Sequence, residues 1–238
     1  MKKFLTTIIA FFLFSPMAFA AIAVDNSLDC GNQAGAGTMT CSYATSGTDR
    51  FLFVAIYSGS NPSLSSITYN AVSLTNLSNI SNAGSGFLQT YYLTNPANIT
   101  NTLSITHGAG IYVVVASYTG VDQSTSTENL NNQTTGTAAT ETNIVNVSST
   151  NSWLLGGVVE QNAATGFTAA TGTLRVSQAL AKLSIADSNG ALAIGSRSLA
   201  WTINSGTPAW LDGVFALRPA VAAVTTARHK SPILISPF

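Results

Sequence analysis

Hydrophobic side chains along this chain recur at every second position or in unbroken runs, and almost nowhere at the spacing of an amphipathic helix. Short stretches rich in Val, Ile, Tyr, Thr and Phe alternate with clusters of Gly, Asn, Ser and Pro, the punctuation of strands and turns. The pattern predicts strands over 39–43, 51–57, 65–69, 72–77, 87–93, 103–107, 111–119, 143–147, 153–160, 174–180, 182–186, 199–203 and 210–217. About a dozen strands without helices between them predict an all-β protein of antiparallel sheets packed face to face.

Four runs are apolar at consecutive positions: 51–57, 111–116, 153–159 and 214–217. A strand apolar on both faces must be covered on both, which places these four centrally. Leu199, Trp201 and Ile203 alternate with Ala200 and Thr202 and read as one buried face. Asn70-Ala71 sits where a tight hairpin turn belongs; Ala tolerates positive φ poorly, so a turn longer than two residues is expected. The polar stretch 121–142 reads as a surface loop or a link between half-sandwiches. Residues 220–238 follow the last strand, and prolines flanking Ile233–Ile235 argue against a central strand there. They read as a mobile tail, with docking on a sheet edge of this or another molecule as the route to self-association.

At the amino terminus, Lys2 and Lys3 precede an apolar stretch from Phe4 to Phe14, and Ala18-Phe19-Ala20 offers small residues to a signal peptidase. Residues 1–20 read as a secretory signal and 21–219 as a single β-sandwich domain, outside the cytoplasm, meeting a membrane only during export. Cys30 and Cys41 both lie in the exported part, where pairing is favoured over ligation of a metal, since neither His107 nor His229 is near in sequence. Charge changes the picture mainly by its scarcity. The chain carries nine basic and nine acidic residues in 238, two of the bases in the leader, which excludes a basic nucleic-acid footprint. A hydrophobic content of 46% is ample for a core.

Several segments together resemble a β-sandwich domain recurring in exported bacterial and phage-encoded proteins, mostly without assigned function. They are Thr48-Asp-Arg-Phe-Leu-Phe-Val-Ala-Ile56, Ser65-Ser-Ile-Thr-Tyr-Asn-Ala-Val-Ser-Leu-Thr75, Tyr91-Tyr-Leu-Thr-Asn-Pro96, Ala116-Ser-Tyr-Thr-Gly-Val-Asp-Gln123, and the closing Ala209-Trp210 with Ala216-Leu-Arg-Pro219. In order and spacing the resemblance covers roughly Val24 to Pro219. The resemblance implies a two-layer, jelly-roll or concanavalin-like sandwich acting in surface recognition. Its members commonly have Gly where Ala71 stands, and it transfers no catalytic residue.

Candidate chemistry is sparse. The acids are Asp25, Asp29, Asp49, Asp122, Glu128, Glu141, Glu160, Asp187 and Asp212. A glycosidase needs two carboxyls facing one cleft, and only Glu160 with Asp212 is imaginable; solvated loop carboxylates that cap turns are the simpler expectation. No Gly-x-Ser-x-Gly elbow occurs, and His107 and His229 read as exposed polar residues. No cofactor is implied; Asp25 with Asp29, or Asp122, are the carboxylates that could hold a structural calcium. Asn76, Asn79, Asn98, Asn132 and Asn146 head sequons of the kind an Asn/Ser/Thr-rich chain generates by chance. Aromatic faces are the better handle for a ligand, because sugar rings stack on them. Trp201 and Trp153 read as core. Trp210, on the strand face of Asp212, is the Trp expected nearest solvent, and of Tyr91 and Tyr92 one ring points each way.

The binding residues expected are therefore Trp210, Asp212, Tyr91 and Tyr92, in a non-enzymatic module for a glycan or a cell-surface partner. The other readings are a structural subunit of an extracellular or virion-like assembly, and a polysaccharide hydrolase or lyase on the same scaffold.

Overall fold

The computed structural model describes residues 20–82, 86–135, 139–160, 166–169, 171–178, 183–204 and 209–221. The leader up to residue 19 and the tail from 222 onward, His229 included, lie outside the described residues. The chain is all-β, in antiparallel sheets. Its first half contributes β1 (Ala23–Gln33), β2 (Gly37–Ala44), β3 (Phe51–Ser58), β4 (Ser66–Tyr69), β5 (Val72–Ser73), β6 (Thr75–Asn82), β7 (Gly86–Thr94), β8 (Thr100–His107) and β9 (Ile111–Thr119). The second contributes β10 (Thr127–Thr135), β11 (Thr140–Val147), β12 (Trp153–Glu160), β13 (Phe167–Ala169), β14 (Thr173–Gln178), β15 (Leu183–Asp187), β16 (Gly195–Ile203) and β17 (Trp210–Leu217).

The two-layer sandwich occurs twice. In the first half an inner sheet of order β1-β9-β3-β7-β6 faces an outer sheet β2-β8-β4-β5; in the second, β10-β17-β12-β15-β14 faces β11-β16-β13. Leaving out the two-residue β5, the strands correspond one for one in sequence order and in sheet position. The register agrees: Phe51 pairs with Tyr118 as Trp153 pairs with Leu217, and Met39 pairs with Ile105 as Glu141 pairs with Trp201. β1 and β10 both carry a bulge against the partner strand, after Val24 and after Glu128. Asp49 and Asn151, two residues before β3 and β12, both hold positive φ.

The two halves stack through their inner sheets, giving four layers with three interiors between them. Leu52, Val54 and Ile56 of β3 face the outer sheet of their own half, while Phe51, Phe53 and Ala55 face Leu155, Val159 and Phe215 of the other half. Leu154, Val158, Val214 and Ala216 close the third interior against Leu199 and Trp201. This is why β3, β9, β12 and β17 are apolar at consecutive positions: each has a layer on both sides. A polar bond also crosses between the halves. Asp187, fully buried, accepts the Tyr118 hydroxyl at 2.9 Å and a two-point contact from Arg175 at 2.6 and 2.7 Å.

The stretch 121–142 is not a loop throughout, because it contains β10, which pairs with β17 along Thr127–Thr135. An edge strand needs its backbone ladder and only one covered face, so polar side chains do not forbid it. Residues 121–126 make the link between the halves. The Asn70-Ala71 turn is two residues long after all, with φ of 51° and 61°, since Tyr69 pairs directly with Val72. Asn101 Nδ2 donates to Asn70 Oδ1 at 2.6 Å and helps hold it.

Candidate functional site

Cys30 and Cys41 form a disulfide joining β1 to β2, and so the inner to the outer sheet of the first half. The four expected binding residues do not form one surface. Trp210 is only 3% exposed and Asp212 is fully buried. Alternation put them correctly on one face of β17, but that face points into the third interior instead of toward solvent. Tyr92 stacks on Phe51 with centroids 5.5 Å apart, at the margin of the central interior. Tyr91 points the other way. With Leu64, Ser65, Ser66, Ile67, Ser73 and Leu74 it lines a shallow cavity of about 250 Å³ at the edge of the first outer sheet.

Four of the acids depart from the expectation of solvated turn caps. Glu141, Glu160, Asp187 and Asp212 are all buried. Glu141 projects from β11 and Asp212 from β17 into the same interior, beside Asn143, whose Nδ2 donates to Asp212 Oδ2 at 2.6 Å. Glu160 lies diagonally from Asp212 on the same face of its sheet, since Val158 is the direct partner of Asp212. As two carboxylates, Glu141 and Asp212 would have no donor between them; a proton held on Glu141 supplies it. Burial is the largest cause raising the pKa of Glu141, and the charge of Asp212 adds to that. Asp212 is raised by burial too, with hydrogen bonds from Asn143 and Glu141 pulling it back. Both carboxyls are sealed from solvent, so they do not present a cleft with an acid and a nucleophile.

Four further acids have structural occupations, capping turns and loops as expected. Asp25 accepts bonds from Ser46 and Ser117, and Glu128, its counterpart in the second half, accepts them from Ser148 and Ser149. Burial pushes Glu128 up, but these hydrogen bonds outweigh it and hold the carboxyl below its ordinary range. Asp29 accepts the Gly31 N–H, and Asp122 accepts from Ser124 and Thr125. Among the described residues no three His, Cys, Asp or Glu side chains come together as a metal site. His107, expected at the surface, is buried at 4% exposure, with Nδ1 against the Ala109 carbonyl at 2.6 Å.

What the alternation carries to solvent is a field of hydroxyls. On the first outer sheet Thr38, Thr106 and Ser66 form one row across three strands. Thr40, Ser104, Thr68 and Ser73 form the next, and Ser42 with Thr102 a third. Rows and columns are about 6.8 and 4.8 Å apart by strand geometry. The Thr38 and Thr106 hydroxyls bond each other at 3.1 Å. On the second outer sheet Thr140, Thr202 and Thr168 form a row; beyond it Thr142 pairs with Ala200, Ile144 with Ser198 and Asn146 with Ser196. Among the described residues of these strands no charged side chain takes an outward position: Glu141 and Arg197 fall at inward positions of the register, paired with Trp201 and Val145. Reading the sequence for aromatics missed these faces. The signal was Thr or Ser at alternate positions, as in Thr38-Met-Thr40-Cys-Ser42 and Thr140-Glu-Thr142.

No family model, curated protein or solved structure matches the chain.

Proposed function

We propose that the protein is an exported, non-enzymatic recognition module that binds a neutral glycan through the outward faces of its outer sheets. The observation that carries the reading is the pair of uncharged hydroxyl fields. A hydroxyl both donates and accepts, as a sugar hydroxyl does, and Ser or Thr on a strand has little side-chain freedom to lose on binding. A face without charge neither repels nor selects ionic partners, which suits a neutral polymer. Tyr91, beside the first face in a cavity shared with Ser66 and Ser73, adds the aromatic edge against which a sugar ring packs. The leader-like amino terminus and the Cys30–Cys41 bond support an oxidising compartment outside the cytoplasm.

Depletion of the protein from solution by microcrystalline cellulose, microcrystalline chitin and starch granules, with heparin beads as the charged comparison, tests this. Binding to at least one neutral polymer is expected. It should weaken at least tenfold when Thr40→Lys, Ser104→Lys, Thr142→Lys and Ser198→Lys are combined, with the circular dichroism spectrum unchanged. No binding to any neutral polymer, or equal binding by the variant, overturns the reading.

A further inference from the structure

We infer that a single chain is bivalent: it carries two copies of the binding face on opposite outer surfaces and bridges two separate neutral polysaccharide surfaces. The inference rests on the glycan-binding reading and adds the geometry of its use. The two halves stack by their inner sheets, so the outer sheets look in opposite directions. Three sheet-to-sheet spacings separate them, roughly 30 Å from backbone to backbone. One flat partner cannot reach both, and each face must engage its own.

The correspondence between the halves supplies a second, independent observation. Outward positions keep a hydroxyl in both where Thr38 matches Thr140, Thr40 Thr142, Thr106 Thr202 and Ser66 Thr168, whereas Ser42 is matched by Ile144 and Ser104 by Ala200, both uncharged. Inward positions of the same strands have diverged in chemistry, with Met39 matched by Glu141 and Cys41 by Asn143, and on the facing inner sheets Val113 of β9 is matched by Asp212 of β17. A merely solvated face tolerates Lys, Glu or Gln as readily as Thr, whereas here both faces stay uncharged while the interior behind them has changed. The support between the faces is rigid, because the central interior is one continuous apolar layer shared by both halves.

The test is bridging of polysaccharide microcrystals, read as sedimentation and turbidity of cellulose and chitin suspensions against protein concentration. Wild-type protein should flocculate the polymer it binds, with a maximum at intermediate concentration and loss of bridging in excess. Two single-face variants, Thr40→Lys with Ser104→Lys and Thr142→Lys with Ser198→Lys, should each still bind with about half the capacity but fail to flocculate. Flocculation retained by both variants overturns bivalency, as does complete loss of binding in either one while its circular dichroism spectrum is intact. Analytical ultracentrifugation of the protein alone should show a monomer; a dimer formed through an outer face would assign that face to a second copy and overturn the inference. If wild-type protein binds no neutral polymer, the glycan reading itself fails; if it binds without flocculating, only bivalency does.

Discussion

Ala55 and Gly157 meet face to face between the two inner sheets, so closely that a methyl group on Gly157 would lie 3.2 Å from Ala55 Cβ. They are matching positions of β3 and β12, four residues after Phe51 and Trp153. A residue that touches its own counterpart marks the axis relating two equivalent halves. Gly157→Val should therefore destabilise the protein by about 1–3 kcal/mol, through overpacking where two backbones have no room to separate. The check is a fall in the urea midpoint at unchanged slope. Gly190→Ala, where an added methyl meets nothing within 4 Å, is the comparison and should change little.

The Asn70-Ala71 turn stores a small strain. Ala71 is exposed and has φ of 61°, a conformation in which its Cβ crowds the following carbonyl. Ala71→Gly should stabilise by about 0.5–1 kcal/mol, the relief of that crowding exceeding the entropy Gly adds to the unfolded chain. A higher melting temperature is the expected result, and a lower one would contradict the account of the turn.

The pair Glu141 and Asp212 gives stability a defined pH dependence. Both carboxyls have raised values in the folded chain, so the folded state holds protons that the unfolded chain has already released. Their contribution is whole below the ordinary carboxylate range, near 4.5 for Glu, and is lost as pH rises toward about 10. Glu141→Gln keeps a donor for Asp212 and has no proton to lose. Urea titrations from pH 5 to pH 9 should show stability falling in the wild type and a flatter profile in the variant.

The disulfide closes a loop of sequence separation 11 in the first half alone. Its removal in Cys30→Ser with Cys41→Ser should cost about 3 kcal/mol by chain-entropy reasoning. Because the halves share the central interior, the loss should appear as one cooperative transition at lower temperature, with no separate melting of the first half. Calorimetry with and without the bond distinguishes these outcomes.

How much of this was legible in the sequence depended on whether a residue's neighbour was local. Strands such as 51–57 and 111–116 announced themselves, because burial on both faces writes an unbroken apolar run. β1 and β10 did not, since Asp25-Asn-Ser27 and Asn129-Leu-Asn-Asn132 are the bulged edge strands whose side chains reach water or cap a neighbouring loop. The duplication was present as Ser46, Thr48 and Leu52 recurring at Ser148, Thr150 and Leu154, too few identities to stand out without the strand order. Trp210 and Asp212 were placed on the right face of their strand. What lies opposite that face is set by β11 and β16, and no spacing within β17 encodes them.

The central interior has a consequence for how the molecule is made. By residue 119 the first half has all its strands, yet one side of its inner sheet stays bare until the second half is synthesised. Matching halves offer matching seams, and such a seam does not distinguish its own sequel from that of a neighbouring molecule. High concentration during refolding thus favours reciprocal exchange of halves, a pair of chains knitted together at the link 121–126, with every native contact kept.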